Sequence, residues 1–284
     1  MAPNFPERYR TSMFQHRYGY ALYEPPSVSR LCPGMLGYLD EYRKWHPILD
    51  LSSAIDVEEL GYSPIGQLYR SEPDECRWGP LASDNVKSTD IAFSGKIDPT
   101  NLALPANATG AIEYRSNTDF GALLICDSPV SSEGYDFRRP FLEWLRLNSN
   151  KLLHDYPDLK KYGAYIATWT YSATDIHMKL WSDSATRVNI GFSVEATSVV
   201  KADQRLKWLR SHSGKGWRDW SGKQRVVFFT GVKVRYGPFG MMKQSEGRWR
   251  GSNQDFIVTG LDEGKSCEAS VEQFGDDWAK IKGD

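Results

Sequence analysis

Residues Arg187 to Glu195 alternate without a break. Val188, Ile190, Phe192 and Val194 fall on one side, and Arg187, Asn189, Ser193 and Glu195 on the other. A period of two is the side-chain spacing of an extended chain and does not fit the 3.6-residue period of a helix. The run requires a β-strand with one apolar and one polar face, and neighbours that satisfy its backbone. The same alternation occupies residues 89–97, where Ile91, Phe93 and Ile97 oppose Asp90, Ser94 and Lys96. It resumes at residues 110–115 with Ile112 and Tyr114, and earlier in the second run Tyr165, Trp169 and Tyr171 oppose Ile166, Thr168 and Thr170. Residues 121–126 are apolar throughout, as in a strand covered on both faces. Short strands are predicted near 18–23, 45–51 and 176–181, and a long apolar one over 225–236.

Helical spacing is confined to short stretches. Phe141, Leu142, Leu145, Leu152 and Leu153 form one stripe over 138–153, with Pro140 in the first turn and a stop before Tyr156-Pro157. Phe5, Tyr9 and Met13 lie at i, i+4 and i+8 with Arg8, Arg10 and Arg17 beside them. A helix fragment over 54–60 ends at Gly61, and a further helix is predicted over 201–210 with Val200, Leu206 and Leu209 inward. Strand runs with helices set apart from them predict an α+β fold.

The remaining sequence narrows the chemistry. Cys32, Cys76, Cys126 and Cys267 are scattered, with no CxxC pair, so they read as free thiols rather than disulfides or metal ligands. His16, His46, His154, His177 and His212 stand apart without a Ser or Cys partner, and no GxSxG, HExxH, P-loop or GxGxxG is present. No catalytic residue, metal site or cofactor is expected. The N-terminus lacks an apolar signal core and no uncharged run reaches the roughly 18 residues of a spanning helix, which predicts a cytoplasmic resting protein.

Charge is uneven. The whole chain carries −1, yet residues 199–235 hold ten Lys or Arg against two Asp, a local +8 interleaved with Trp208, Trp217 and Trp220. Such a segment suits anionic lipid, nucleic acid or plain solvation. After Gly237-Pro238 the balance inverts: residues 240–284 hold six basic residues against nine acids. Their glycines at 247, 251, 260, 264, 275 and 283 predict a loosely structured acidic tail.

The order of parts, from Phe141 through Tyr156-Pro157-Asp158-Leu159-Lys160 into the alternating run at Tyr165–Tyr171, then Arg187–Glu195 and residues 225–236, resembles the pore-forming domain of the gasdermins. The opening Tyr18-Gly19-Tyr20-Ala21-Leu22-Tyr23 to Pro47-Ile48-Leu49-Asp50 is similar to short fungal members tied to allorecognition, heterokaryon incompatibility and regulated cell death.

The resemblance implies a twisted antiparallel β-sheet with flanking helices that converts to an oligomeric transmembrane β-barrel. It divides the chain into a pore-forming domain, 1–239, and an inhibitory tail, 240–284. Docking on acidic phospholipid (cardiolipin, phosphatidylserine) falls to Arg8, Arg10, Arg17, Lys201, Arg205, Lys207, Arg210, Lys215 and Arg218. Runs 89–126 and 163–196 become the membrane hairpins, presenting Ile91, Phe93, Ile112, Tyr114, Tyr165, Trp169, Tyr171, Val188, Ile190, Phe192 and Val194. Phe239-Gly240 is the expected clip site. The partners implied are further copies of the chain, an activating protease or an incompatible allelic form, and the active location is the plasma or mitochondrial membrane. The alternatives are a lectin-like β-rich binding module and a nucleic-acid-binding protein.

Overall fold

The computed structural model describes residues 4–92, 102, 104, 108–195, 205–210, 216–238, 254–261 and 265–274. In chain order they form α1 (Phe5–Ser12), a 3-10 turn (Phe14–His16), β1 (Tyr20–Ala21), β2 (Met35–Leu39), β3 (Trp45–Asp50), α2 (Ala54–Glu59), β4 (Asp74–Cys76), β5 (Leu81–Ala82), β6 (Val86–Ala92), β7 (Gly110–Ser116) and β8 (Gly121–Cys126). There follow β9 (Val130–Gly134), α3 (Arg139–Asp155), α4 (Leu159–Tyr162), β10 (Ala164–Ala173), β11 (Ile176–Trp181), β12 (Arg187–Glu195), β13 (Arg205–Arg210), β14 (Trp217–Trp220), β15 (Arg225–Pro238), β16 (Gln254–Leu261) and β17 (Lys265–Phe274). This is a mixed α/β fold with few helices, and every strand pairing among the described residues is antiparallel. The chain divides into two units, one from Met1–Cys76, Val130–Ala173 and Gln224–Asp284, the other from Arg77–Pro129 and Thr174–Lys223.

The first unit is a nine-stranded sheet with the path β16-β17-β15-β10-β2-β3; β1, β4 and β9 pair off it. The stripe on α3 packs against one face, where Phe141, Trp144, Leu145, Leu152 and Leu153 join Leu36, Ile166, Val232 and Val234. Each such fully buried side chain contributes about 1.5–3 kcal/mol. The Trp144 indole donates to the Ser63 carbonyl at 2.7 Å and Asn148 accepts from the Ser63 amide at 2.9 Å, which fixes the helix along its length. Tyr20, Trp45, Tyr165, Phe229 and Phe274 form a second cluster.

A bulge in β10 changes the expected faces. Ala167 pairs with Gly231 and Trp169 with Thr230, so Thr168 is an extra residue. Tyr165 consequently packs edge-on to Phe229 and Phe274, whereas Tyr171 meets Tyr18 and Phe228. The bulge needs glycine opposite it, because a Cβ at Gly231 would stand 1.9 Å from the Ile166 carbonyl oxygen. Gly231→Ala should cost about 4 kcal/mol or more, read as a drop in the urea midpoint. A Gly66→Ala control, whose nearest contact for a Cβ is 3.9 Å, should leave it unchanged.

Two sequence expectations are corrected. Residues 205–210 are strand β13, not a helix: β12 offers a free edge, and those hydrogen bonds outweigh the helix propensity of Lys, Arg and Leu. The acidic tail is not loose where it is described. β16 and β17 form a hairpin, and β17 pairs with β15 from Gly231↔Phe274 to Pro238↔Cys267.

Candidate functional site

The second unit holds two four-stranded sheets, β14-β11-β8-β5 and β13-β12-β7-β6. Their strand orders correspond position by position: each strand of one sheet is the sequence neighbour of its counterpart in the other. The sheets face each other over a shared core of Tyr114, Val188 and Ile190 from one and Leu123, Ile125 and Trp181 from the other. Among the described residues three chain corners, 83–85, 117–120 and 182–186, join them, and the two central strands are folded back on themselves at theirs.

The central pair of strands carries its register through the fold. Arg187 faces Arg115 in one sheet and Trp181 faces Gly121 in the other, so residues 116–120 and 182–186, equal in number, lie between. The outer pairings change register across the corner.

Residue parity shows what straightening would expose. Between Gly110 and Cys126 the charged residues are Glu113, Arg115 and Asp119; between Ile176 and Glu195 they and histidine are His177, Lys179, Asp183, Arg187 and Glu195. All are odd-numbered. The even positions are Ile112, Tyr114, Ser116, Thr118, Phe120, Ala122, Leu124 and Cys126, and Ile176, Met178, Leu180, Ser182, Ser184, Thr186, Val188, Ile190, Phe192 and Val194. In the central register even residues face even ones. Extended across their corners, these two strands would present one uncharged face and one polar face. In the folded unit the corner turns the strand over, so the core takes even residues from one sheet and odd residues from the other. The neighbouring strands depart from the pattern: Asp90 stands opposite Ile112, Arg210 opposite Ile190 and Arg218 opposite Met178, and burial first, then the Asp90 carboxylate, push the Tyr114 hydroxyl up to about 12.

Side chains latch the corners. Asp183 accepts from the Ala185 and Thr186 amides at 2.8 and 2.7 Å and from the Thr186 hydroxyl. At the facing corner the Asn85 side-chain amide donates to the Thr118 hydroxyl at 2.8 Å, the Ser116 hydroxyl donates to the Phe120 carbonyl, and Ser83 accepts from the Ala122 amide at 3.0 Å. The Thr186 hydroxyl bond holds the Asp183 carboxyl below its ordinary value. A depressed carboxylate stabilises the corner fully above that ordinary value, and the contribution is lost as pH falls through the depressed one. Asp183→Ala should lower amide protection at Ala185 and Thr186 by about tenfold in hydrogen exchange at neutral pH. At pH 3 and below the difference from wild type should shrink.

A buried clamp pins an edge strand. His177 is 5% exposed on β11, with Nδ1 2.7 Å from Asp219 of β14 and Nε2 3.1 Å from Asp127 beyond β8. Both ring nitrogens thus stand within hydrogen-bond distance of a carboxylate. Sequence reading missed this group because its members lie far apart in the chain and only strand pairing assembles them.

The expected site residues fall in several places. Ile112, Tyr114, Val188, Ile190 and Phe192 come together on β7 and β12, with Val194 further along β12. Ile91 lies on β6 opposite Ala111, in a separate cluster with Leu104 and Ala108. Tyr165, Trp169 and Tyr171 lie on β10 in the nine-stranded sheet, so run 163–196 is divided between the two units. Arg8 and Arg10 are on α1, with Arg17 after the 3-10 turn. Arg10 pairs with Glu7, which also meets Arg43 at 2.8 Å, and the Arg10 guanidinium stands 5.2 Å from the Tyr20 ring centroid. Arg205, Lys207 and Arg210 are on β13, and Arg218 on β14 stands over Trp220 at 5.1 Å. Lys201, Lys215, Phe93, Phe239 and Gly240 lie outside the described residues.

No helix among the described residues is long and apolar enough to cross a membrane, and no cluster of His, Cys, Asp or Glu there is arranged to hold a metal ion. No family model matches the sequence, and no curated protein does. Solved structures do. A bacterial gasdermin from Bradyrhizobium tropiciagri aligns over 80% of this chain and 87% of its own, at 9% identity and a TM-score of 0.32. The membrane pore of mouse gasdermin A3 aligns over 87% and 98%, at 10% identity and a TM-score of 0.30. Both solved structures are gasdermins, the family named from the sequence, and neither is fungal.

Proposed function

We propose that this chain is a pore-forming protein whose second unit unfolds its corners to give two membrane hairpins. The observation that carries this reading is the central strand pair: one register on both sides of equal corners, and uncharged residues at every even position from 110 to 126 and from 176 to 195. A tilted strand crosses a bilayer with about 9–11 residues, fewer than either run contains. A barrel of such hairpins satisfies every backbone group while the even side of its central strands meets lipid and their odd side lines water.

The hairpins are 81–126 and 176–220, which revises both boundaries taken from the sequence, 89–126 and 163–196. Arg8, Arg10 and Arg17 with the basic segment 201–218 draw the protein to acidic phospholipid such as cardiolipin or phosphatidylserine, at about 1 kcal/mol per Lys or Arg near the surface. Residues 240–284 hold the resting state, with the β17 ladder on β15 supporting that role, and a cut at Phe239-Gly240 or contact with a different copy of the chain releases it. The consequence is permeabilisation of the membrane and cell death.

Dye release from cardiolipin or phosphatidylserine liposomes tests this, with the chain intact and after cutting at a protease site inserted at Phe239-Gly240. Cutting is preferable to deletion because Ala269 and Phe274 are buried in the first unit. Leakage after the cut alone supports both pore and lock. Leakage from both forms keeps the pore and removes the lock. Silence from both, with folded protein bound to the vesicles, overturns the reading.

A further inference from the structure

Lys87, Arg115 and Arg187 stand in one row across three adjacent strands. Arg115 is the direct partner of Lys87 on β6 and of Arg187 on β12. All three are exposed, Arg187 at 61% of its side chain, and Glu113 lies 3.8 Å from Arg187. Like charges directly opposite each other on a sheet repel, so the pairing of these three with one another does not favour the folded unit. The opposite side of the same sheet is apolar core.

From this geometry we infer that the row lines the pore and makes it selective for anions. The inference rests on the pore reading above. The three residues occupy odd positions, on the polar side of the straightened sheet. They are lateral neighbours at about 4.8 Å per strand, so strand tilt offsets them by only a few ångströms along the axis, and each added subunit repeats the set to give closely spaced cationic rings. A span of about 11 residues within 176–195 contains Thr186 wherever it is placed, so the ring at Arg187 lies at or beside the crossing segment. Arg205 and Lys207 take register positions opposite Glu195 and Ser193. The odd register of this sheet then holds five basic positions (87, 115, 187, 205 and 207) against two acidic ones (113 and 195). Asp119 and Asp183 lie in the corners, away from the hairpin tips. Rings of Arg and Lys of this kind select anions in other pores.

Planar bilayers under a potassium chloride gradient read the sign directly, using the full chain cut at Phe239-Gly240. The expected reversal potential shows chloride preferred over potassium by about twofold to fivefold, modest because the Debye length is only about 10 Å at 0.1 M salt. Arg115→Glu with Arg187→Glu should invert the preference, and Arg139→Glu on α3 should leave it unchanged. A conducting wild type that prefers potassium, or a double variant with an unaltered reversal potential, overturns the ring while leaving the pore intact. Absence of conductance from every folded form overturns the pore reading and the ring with it.

Discussion

Thr186→Lys is expected to stop liposome leakage, while Ala185→Lys leaves it within about twofold of wild type. The two residues adjoin in an exposed corner, and both amides donate to Asp183. Neither side chain belongs to a buried cluster, so both variants should fold. They differ in parity. A Lys on the lipid face of a transmembrane barrel costs up to about 2–4 kcal/mol, its mid-bilayer value, or as much as roughly 30- to 700-fold against each inserting subunit. A Lys on the water side costs little. Thr186→Lys also removes a hydroxyl bond to Asp183, which by itself would loosen the corner and raise leakage, so a fall cannot come from that loss. Equal leakage from the two variants would show that this strand does not cross the bilayer as an alternating strand.

Phe274→Ala is expected to produce leakage from the uncut chain. The Phe274 ring meets Phe229 at 5.3 Å and Tyr165 at 5.7 Å between centroids, edge to face, at the end of β17. Truncating a buried Phe costs about 3–5 kcal/mol, and here the loss falls on the strand that closes the edge of β15. Phe141→Ala supplies the comparison: its ring, on α3, is fully buried and packs on Tyr135 at 5.3 Å, in a different cluster from Phe274. That variant should lose similar stability and remain tight. If the two leak alike, general destabilisation opens the protein and the tail is not its lock.

Particular segments show how far the sequence could be read. The alternation at Val188 to Val194 and the α3 stripe were legible because each reports a local period, and the structure contains a strand and a helix there. β13 was not legible, since Arg205 to Arg210 has helix-forming composition and becomes a strand only where β12 supplies partners. Tyr165 and Tyr171 were assigned one face because a bulge residue such as Thr168 leaves no mark in a single sequence; it depends on Gly231 from a distant strand. The parity of charges across 176–195 was present in the sequence but hidden, because polar residues 182–186 read as the end of a strand.

What the sequence determined by itself was the side of the strand on which each charge stands, since parity along an extended chain is a local property of the backbone. It also determined the helical stripe, the basic segment and the acidic tail. Only the tertiary structure decided which strands are neighbours, that β16 and β17 close the edge of β15, that His177 lies between two aspartates, and that the central corners are equal in length. Those facts depend on pairing between residues far apart in the chain, where the hydrogen bonds of one strand are met by whichever edge packing brings beside it.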